Sequence, residues 1–215
     1  MKMHEDKGIK FYLNASVDSA VASGMFSNKV GSIKLKDGTS IPADVVIMAV
    51  GIGPATEFLK ESGFNLEKDG SLKVDKHMRV KGVPDVYATG DIATFPYVQQ
   101  GGKDLRIEHW DVAMNHGRVV ANHIVKGDSH EGYTSTAYFW SAQGSQLRYC
   151  GTTAIEGFDD VILQGSTDPK DPKFSGFYVK NGKVIAVVGI GTDPTVSLSA
   201  ELLYGTPTFL SELIL

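Results

Sequence analysis

Val86-Tyr87-Ala88-Thr89-Gly90-Asp91-Ile92-Ala93 is the stretch that decides the fold of this 215-residue chain. It predicts a short buried strand, then a glycine turn, then an acidic residue that opens a new segment. In an open α/β sheet, this order brings a backbone N–H group and a carboxylate to the carboxyl end of a strand, where ligands bind. Glycine allows close approach of the backbone, and Asp91 accepts hydrogen bonds from sugar-like hydroxyls. A surface turn is the alternative, and the position between a strand and a helix favours the ligand site.

Elements on both sides of this stretch follow the same α/β pattern. Asp44 to Val50 is continuous and β-branched, which predicts a central strand buried on both faces. Ile9 to Leu13 predicts another short strand, and Lys36 to Thr39 predicts a hairpin turn between two alternating runs. Thr56 to Ser62 predicts a short helix, and Asp111 to Lys126 predicts a longer one.

The character of the sequence changes after residue 132. Short strands are predicted from there on, and Asn181-Gly182 is the strongest hairpin signal in the chain. A helix over Val196 to Tyr204, ended by Gly205, follows these strands. We therefore predict a separate β-rich module with a helical tail, joined to the rest through the polar stretch 127–132.

Composition and charge exclude several classes of protein. The net charge is -4 and no cluster of Lys and Arg occurs, which argues against nucleic acid as a partner. No apolar run approaches the ~18 residues of a membrane span, and the polar first residues do not form a signal peptide. Cys150 is the single cysteine, so any redox chemistry must come from a cofactor or a metal.

Histidine and cysteine are the candidate metal ligands and nucleophiles of the chain. The chain has six histidines, none of them in a His-Glu-x-x-His pattern, so no metal site is predicted. His116 and His123 share one face of the predicted long helix, where we expect them to pack or to reach solvent. Cys150 follows Arg148, a cation of the kind that lowers a thiol pKa, but its strand context predicts a buried and inert thiol.

The segment before the long helix carries candidate binding residues. Glu108 or Asp111 complements the positive end of that helix, and the backbone N–H groups there suit an electron-rich ligand. The alternative is a simple capped helix with Trp110 packed on the core, and the residues alone favour this alternative slightly. Trp140 begins the β-rich module with other aromatics, and a core position is again the favoured interpretation because tryptophans are mostly buried.

Several of these pieces together resemble one family of flavoproteins. The order Ala49 to Pro54, then Val74-Asp75, then Val83 to Asp91 resembles the C-terminal half of FAD/NAD(P)-dependent flavoproteins of the pyridine nucleotide-disulphide oxidoreductase type, which have two dinucleotide domains. That superfamily includes ferredoxin reductases, monodehydroascorbate reductases and apoptosis-inducing factors. A finer resemblance is to apoptosis-inducing-factor-like flavoproteins that carry a Rieske domain. Its motifs are Thr94-Phe95-Pro96, His109-Trp110, Ser145 to Tyr149 and Gly157 to Gly165.

The resemblance implies a division of the chain into three parts. Residues 1–50 resemble the end of an NAD(P)H-binding domain, and residues 51–128 resemble the returning part of an FAD-binding domain. Residues 129–215 resemble a C-terminal α+β domain of the kind that shapes the flavin pocket or a dimer interface. The implied fold class is α/β, with partial Rossmann-like layers followed by the α+β domain.

The resemblance also implies which residues bind cofactor. They are Gly51, Gly90, Asp91, Ile92, Glu108, His109, Trp110 and Trp140. Asp91 would accept a hydrogen bond from a ribityl or pyrophosphate-side hydroxyl of FAD, and Gly90 and Ile92 would line that path. No residue is implied as catalytic and none as a metal ligand.

The remaining implied residues surround the reactive ring of the cofactor. His109 and Trp110 would lie beside the isoalloxazine, where the start of a helix stabilises the anionic reduced flavin. Trp140 matches an aromatic residue over the flavin and nicotinamide. Gly51 and Glu108 match positions near the nicotinamide nucleotide.

The implied reaction is hydride transfer from NAD(P)H to FAD, followed by release of electrons to an acceptor such as a Rieske or ferredoxin-type iron–sulfur centre. The Gly-x-Gly-x-x-Gly fingerprint that binds a dinucleotide pyrophosphate occurs nowhere in the chain. We therefore expect a fragment of a flavoprotein that by itself binds FAD weakly, with activity residing in a longer parent protein.

A non-catalytic interaction or dimerisation module, or an apoptosis-related factor, is the alternative function. Residues 129–215 would then bind a partner or form a homodimer. The preference for NADH or NADPH and the location in the cytoplasm or the mitochondrion stay open, because the segments that decide them would precede the chain.

Overall fold

The computed structural model describes residues 2–25, 27–142, 144–204 and 208–209, and the chain divides into two compact units, Met1–Ile52 and Gly53–Leu215. The N-terminal unit contains a short helix α1 (Lys2–Glu5) and a three-stranded antiparallel sheet in the order β1-β2-β3. Its strands are β1 (Val17–Ala22), β2 (Val30–Leu35) and β3 (Ser40–Pro42). The predicted hairpin turn between β2 and β3 is confirmed, and Asp37 Oδ1 accepts a hydrogen bond from the Thr39 N–H at 2.8 Å within it.

Two predicted strands of this unit are wrong. Asp44 to Val50 and Ile9 to Leu13 have irregular backbone, and the side chains of Val45 and Val50 are 78% and 86% exposed. A central parallel strand forms only when neighbouring strands supply hydrogen bonds on both sides. Among the described residues of this unit, no strand lies beside either segment.

The C-terminal unit combines a small mixed sheet, a long helix and a larger antiparallel sheet. The small sheet has the order β4-β5-β6, with β4 and β5 parallel, and the large sheet has the order β7-β8-β11-β10-β9, with β12 beside β11. The elements are β4 (Leu72–Lys73), β5 (Ala93–Tyr97), β6 (Lys103–Leu105), α2 (Trp110–Lys126), β7 (Tyr138–Ala142), β8 (Gln146–Gly151), β9 (Asp160–Ser166), β10 (Lys173–Lys180), β11 (Lys183–Ile190), α3 (Thr195–Leu202) and β12 (Thr208–Phe209). Single 3-10 turns occupy Glu57–Leu59, Gly90–Ile92, Val98–Gln100 and Gly127–Ser129.

In place of the predicted strand before Gly90, the structure has one isolated β-bridge between Tyr87 and Arg79. The chain turns back there so tightly that the segment pairs only with the residues just before it, as the hydrogen bond from Ala88 N–H to the Met78 carbonyl shows. The helix predicted over Thr56 to Ser62 likewise reduces to one 3-10 turn. Segments this short are ended by the next turn before a regular element develops.

The long helix and the β-rich module agree with the sequence-based expectation. Helix α2 ends at Gly127, whose φ of +61° suits a glycine stop. Asn181 and Gly182 join β10 to β11 with φ of +50° and +74°, as a two-residue hairpin of the type I′ class requires. The tail helix is α3, and Gly205, which was predicted to end it, lies outside the described residues.

Two clusters of buried side chains form the core of the C-terminal unit. The first lies between the small sheet and α2 and includes Phe95, Tyr97, Val112 and Tyr133. The second lies under the large sheet and α3. It consists of Cys150, Phe177, Val179, Val184, Val187, Val196 and Leu203.

Cys150 is fully buried in the second cluster, as its strand context predicts. Burial raises the pKa of this thiol to about 12. At about pH 8 the thiolate fraction is therefore roughly a thousandfold below that of a free cysteine. We expect no reaction with Ellman's reagent in the native protein and full reaction after denaturation. A native rate within tenfold of that of free cysteine would contradict this prediction.

Candidate functional site

A cleft of about 390 Å³ lies between the start of α2 and strand β7. Its lining residues are Glu108, His109, Trp110, Asp111, Tyr138, Phe139 and Trp140. The side chains of Trp110 and Trp140 are 75% and 64% exposed. The favoured interpretation that these two tryptophans are core residues is therefore wrong. Large exposed indoles beside a cleft offer flat apolar surface to a ring ligand.

His109 occupies the N-cap position of α2 and lines the cleft. No side chain caps this end of the helix, so backbone N–H groups of the first turn remain available as donors. Burial lowers the pKa of His109, and the carboxylates of Asp111, Asp91 and Glu108 oppose this shift. Its Nδ1 atom is buried without a hydrogen-bond partner in the part of the chain that the structure describes. The start of α2 thus presents unpaired polar groups beside two indoles.

The 3-10 turn Gly90–Ile92 packs against the first half of α2. Gly90 has φ of +72°, and a Cβ atom added there would lie 3.4 Å from the Ala113 Cβ atom. The Gly90 N–H donates to Nδ1 of His116 at 3.1 Å. Within the described ranges, the Asp91 carboxylate takes part in no hydrogen bond, so its oxygens are available to a ligand hydroxyl.

Arg106 connects this turn to the segment before α2. Its Nη1 atom donates to the Asp91 carbonyl oxygen at 3.2 Å and forms a close ion pair with Glu108, while Nε donates to Asp69 Oδ2 at 3.0 Å. The side chain is 17% exposed. Sequence reasoning assigned no role to Arg106, because Asp69 is 37 residues away and no local pattern indicates the contact.

His116 is the second residue to which sequence reasoning assigned no role at the site, although it expected this histidine to pack or to reach solvent. It is fully buried, and its ring packs edge-to-face on Phe95 and Tyr133 with centroid distances of 4.5 and 4.9 Å. Burial lowers its pKa to about 4, so the ring is neutral at neutral pH. Because Nδ1 accepts from the Gly90 N–H, the ring proton lies on Nε2. A buried neutral imidazole therefore fixes the backbone of the turn that carries Asp91.

Gly51 belongs to the N-terminal unit, apart from the other seven predicted residues. It has φ of +92°, and an added Cβ atom would meet no heavy atom within 4 Å. The backbone around it is irregular and exposed. Its contact with a nicotinamide nucleotide stays a prediction.

Comparison with known proteins assigns the family. Residues 1–117 match the family described as pyridine nucleotide-disulphide oxidoreductase, and residues 138–207 match the family described as reductase C-terminal. The chain therefore belongs to the pyridine nucleotide-disulphide oxidoreductase family. Members of this family are FAD-dependent NAD(P)H oxidoreductases, and the predicted fold class with Rossmann-like parts is confirmed.

Similar proteins include flavoproteins of two kinds. Apoptosis-inducing factor 3 of Mus musculus is 39% identical over 204 residues, which cover 94% of this chain and 32% of that protein. Monodehydroascorbate reductase 3 of Arabidopsis thaliana is 35% identical, with coverage of 86% and 41%. The chain thus spans well under half the length of these relatives.

Solved structures show the same fold. The chain superposes on the covalent putidaredoxin reductase–putidaredoxin complex with a TM-score of 0.84 and 26% identity, covering 99% of this chain and 49% of that one. A ferredoxin reductase from Rhodopseudomonas palustris gives a TM-score of 0.76 and 29% identity, with coverage of 88% and 45%. Among the described residues, no helix is both long and apolar enough to cross a bilayer.

The residues at the cleft fit a flavin ring. The orphaned Nδ1 atom of His109 and the uncapped start of α2 supply polar partners for an electron-rich ring. The indoles of Trp110 and Trp140 supply flat apolar surface. Asp91, in the 3-10 turn that packs against α2, supplies an acceptor for a hydroxyl. The cleft therefore suits the isoalloxazine end of FAD rather than a metal ion or a highly charged ligand.

Proposed function

We propose that this chain forms the isoalloxazine-binding part of an FAD-dependent NAD(P)H oxidoreductase that delivers electrons to a ferredoxin-type or Rieske-type iron–sulfur centre. The observation that carries the proposal is the cleft where two exposed indoles border the uncapped start of α2. The chemistry that FAD supplies when bound is acceptance of a hydride from NAD(P)H and onward release of electrons. Family membership supports this assignment.

Several groups in and beside the cleft have a defined task in this proposal. The start of α2 lowers the energy of negative charge on the ring through its partial positive charge and free N–H groups. His109 is neutral because burial lowers its pKa, so it donates or accepts a hydrogen bond without adding charge. Asp91 orients the sugar-alcohol chain of the cofactor, and Arg106 with His116 fixes the backbone on either side of Asp91.

The proposed electron acceptor is an iron–sulfur protein. Support comes from the superposition on a reductase that was solved as a covalent complex with putidaredoxin. The same proposal includes the three-part division of the chain at residues 50 and 128 and a homodimer formed through residues 129–215. It also includes a mitochondrial location, in line with the similarity to apoptosis-inducing factor 3.

The proposal is tested by flavin binding to the purified chain. We expect titration with FAD to quench the fluorescence of Trp110 and Trp140 saturably, because a stacked flavin lies within contact distance of both. Asp91→Ala should weaken FAD binding by about tenfold, the size of one lost hydrogen bond to a charged group. Asp168→Ala, which removes an exposed carboxylate from the loop between β9 and β10 and away from the residues that line the cleft, serves as the matched control.

Two outcomes would contradict the proposal. One is quenching that does not saturate and that equals the quenching of free tryptophan by FAD, because this would indicate random collisions and no binding site. The other is unchanged affinity for FAD in the double variant Asp91→Ala, Trp140→Ala. If the chain binds FAD as expected, the electron transfer itself is tested next. NADH and a ferredoxin are added to the longest natural protein product of the gene, and reduction of the ferredoxin is measured.

A further inference from the structure

A second cluster of chemistry-bearing side chains lies at the other end of α2. His77, His123 and Asp128 place two ring nitrogens and one carboxylate oxygen within 4.8 Å of one another. His77 and His123 are 2% and 8% exposed, whereas Asp128 lies at the surface. His123 is 14 residues along the helix from His109, or roughly 20 Å at 1.5 Å per residue, so this cluster is separate from the flavin cleft.

His77 has an unpaired nitrogen atom aimed into this cluster. Its Nε2 atom lies 2.7 Å from the carbonyl oxygen of His130, which only accepts hydrogen bonds, so Nε2 carries the ring proton. The lone pair of the neutral ring is then on Nδ1. That atom is buried, lies 3.5 Å from Asp128 Oδ1 and has no hydrogen-bond partner among the described residues. A lone pair facing a carboxylate oxygen is unfavourable unless a proton or a metal ion lies between the two atoms.

His123 is arranged in a similar way. Its Nδ1 atom lies 2.9 Å from the hydroxyl of Tyr87, and its Nε2 atom lies 3.1 Å from Asp128 Oδ1. The hydroxyl of Tyr87 either donates or accepts, so it serves both tautomers of His123. In the tautomer whose Nδ1–H donates a hydrogen bond to the Tyr87 hydroxyl, the lone pair of His123 lies on Nε2 and faces Asp128.

We propose that His77 Nδ1, His123 Nε2 and Asp128 bind a divalent transition-metal ion of the zinc type. The observed separations of 3.1 and 3.5 Å from each nitrogen to Asp128 Oδ1 match the edges of a tetrahedral site, which are about 3.4 Å when the bonds are about 2.1 Å. Two imidazoles with one carboxylate form a common zinc donor set, and water completes it. The His130 carbonyl and Tyr87 are the outer partners that orient metal-binding histidines elsewhere.

Binding requires a limited rearrangement. The two rings now stack with a centroid distance of 4.5 Å and an angle of 24°, and a nitrogen lone pair lies in its ring plane, so one ring must turn toward the ion. Asp128 Oδ1 also accepts from Arg79 Nη1 at 3.1 Å, and this guanidinium must move to the second oxygen. Because the Asp128 side chain is exposed, it can rotate once its contact with Arg79 is released. Because of this rearrangement and the nearby positive charge, we expect a dissociation constant of roughly 1–10 μM, which is weak for zinc.

The site would join the end of α2 to the segment before Tyr87. His123 and Asp128 lie on either side of the helix stop at Gly127, and His77 lies in the loop between β4 and Tyr87. One ion thus connects two segments that are 46 residues apart, from His77 to His123, in the sequence. Its role is structural, since the flavin cleft lies at the opposite end of the helix.

Zinc and cobalt titrations of the purified chain test this site. We expect one equivalent of Zn²⁺ to bind in calorimetry, and Co²⁺ to give the strong visible absorption of a tetrahedral complex. Asp128→Asn should weaken binding at least tenfold, and His123→Gln should abolish the cobalt absorption. Arg79→Met should tighten binding severalfold because it removes the competing cation, an effect that a purely structural ion pair would not produce.

His4→Gln is the matched control, because His4 lies in the N-terminal unit and is not among the proposed ligands. It should leave the zinc affinity and the cobalt spectrum unchanged. The proposal is overturned if no saturable binding occurs below 1 mM, the weak limit that corresponds to about 4 kcal/mol of binding free energy. It is equally overturned if His4→Gln weakens binding as much as Asp128→Asn, since zinc would then bind surface histidines.

Discussion

Replacement of Gly151 by alanine should destabilise the C-terminal unit by about 3–5 kcal/mol, through overpacking and a strained backbone together. Gly151 has φ of +79°, a conformation that costs an alanine roughly 1 kcal/mol. Its added Cβ atom would lie 2.2 Å from the Ile185 carbonyl oxygen and 2.8 Å from the Ala186 Cα atom. Both of these atoms belong to the backbone of β11, which pairs with β8 at this position and cannot move aside alone.

Urea denaturation followed by circular dichroism measures this loss. Gly157→Ala is the matched control, because Gly157 has a similar φ of +65° but no heavy atom within 4 Å of an added Cβ atom. The control should cost only about 1 kcal/mol, the backbone part of the effect. Equal losses in the two variants would show that the close approach of β8 to β11 does not limit the size of residue 151.

Replacement of His116 should give the second large effect. His116→Leu replaces the ring by an apolar side chain and removes the acceptor for the Gly90 N–H, so it should lose about 2 kcal/mol through an unpaired buried donor. His116→Asn places an oxygen near the position of Nδ1 and should lose only about 1 kcal/mol, through the smaller volume. Affinity for FAD should follow the same order, because the turn Gly90–Ile92 carries Asp91.

The stability of the native protein should also depend on pH through His116. Its folded pKa of about 4 lies below the ordinary value of 6.5. Above pH 6.5 the ring is neutral in both states and costs nothing. As pH falls from 6.5 to 4, His116 takes up a proton in the unfolded chain but stays neutral in the folded chain, so the free energy of unfolding falls by up to about 3 kcal/mol.

This dependence separates His116 from the other titrating groups. The native protein should be more stable than His116→Asn by about 1 kcal/mol at pH 6.5. As pH is lowered to 4, this difference should shrink, pass through zero and reverse to about 2 kcal/mol in favour of the variant, because the variant lacks this proton uptake. Urea denaturation at several pH values over that range measures the difference. A difference that stays constant with pH would mean that the ring is protonated in the fold, in conflict with the hydrogen bond that Nδ1 accepts from Gly90.

Sequence patterns predicted the elements whose stability is local. Helix α2, the Asp37-Gly38 turn and the Asn181-Gly182 hairpin depend on periodicity, glycine stops and left-handed turn residues, and all three are present. Asp44 to Val50 carries an equally clear strand pattern but forms no strand. The hydrophobic pattern predicts a segment suited to burial in a parallel sheet, whereas a strand forms only where neighbouring strands supply hydrogen bonds.

The candidate site likewise contains residues that the sequence predicted and residues that it did not. The motifs around Asp91 and His109-Trp110, read through a family resemblance, identified residues that the structure places around the start of α2. The residues that support them were not predicted. Arg106 and His116 act through contacts with backbone groups 15 and 26 residues away, and no local spacing reports such contacts.

The sequence by itself determined the family, the turns and the long helix, because these depend on motifs and on interactions between residues close in the chain. Only the tertiary structure decided that Trp110 and Trp140 face a cleft rather than the core, since both positions are compatible with their local patterns. Only the tertiary structure brought His77, which lies in a loop, to His123 and Asp128 at the end of α2, because these segments share no motif. The physical reason is that burial and side-chain partners depend on packing between distant segments, which local propensity does not encode.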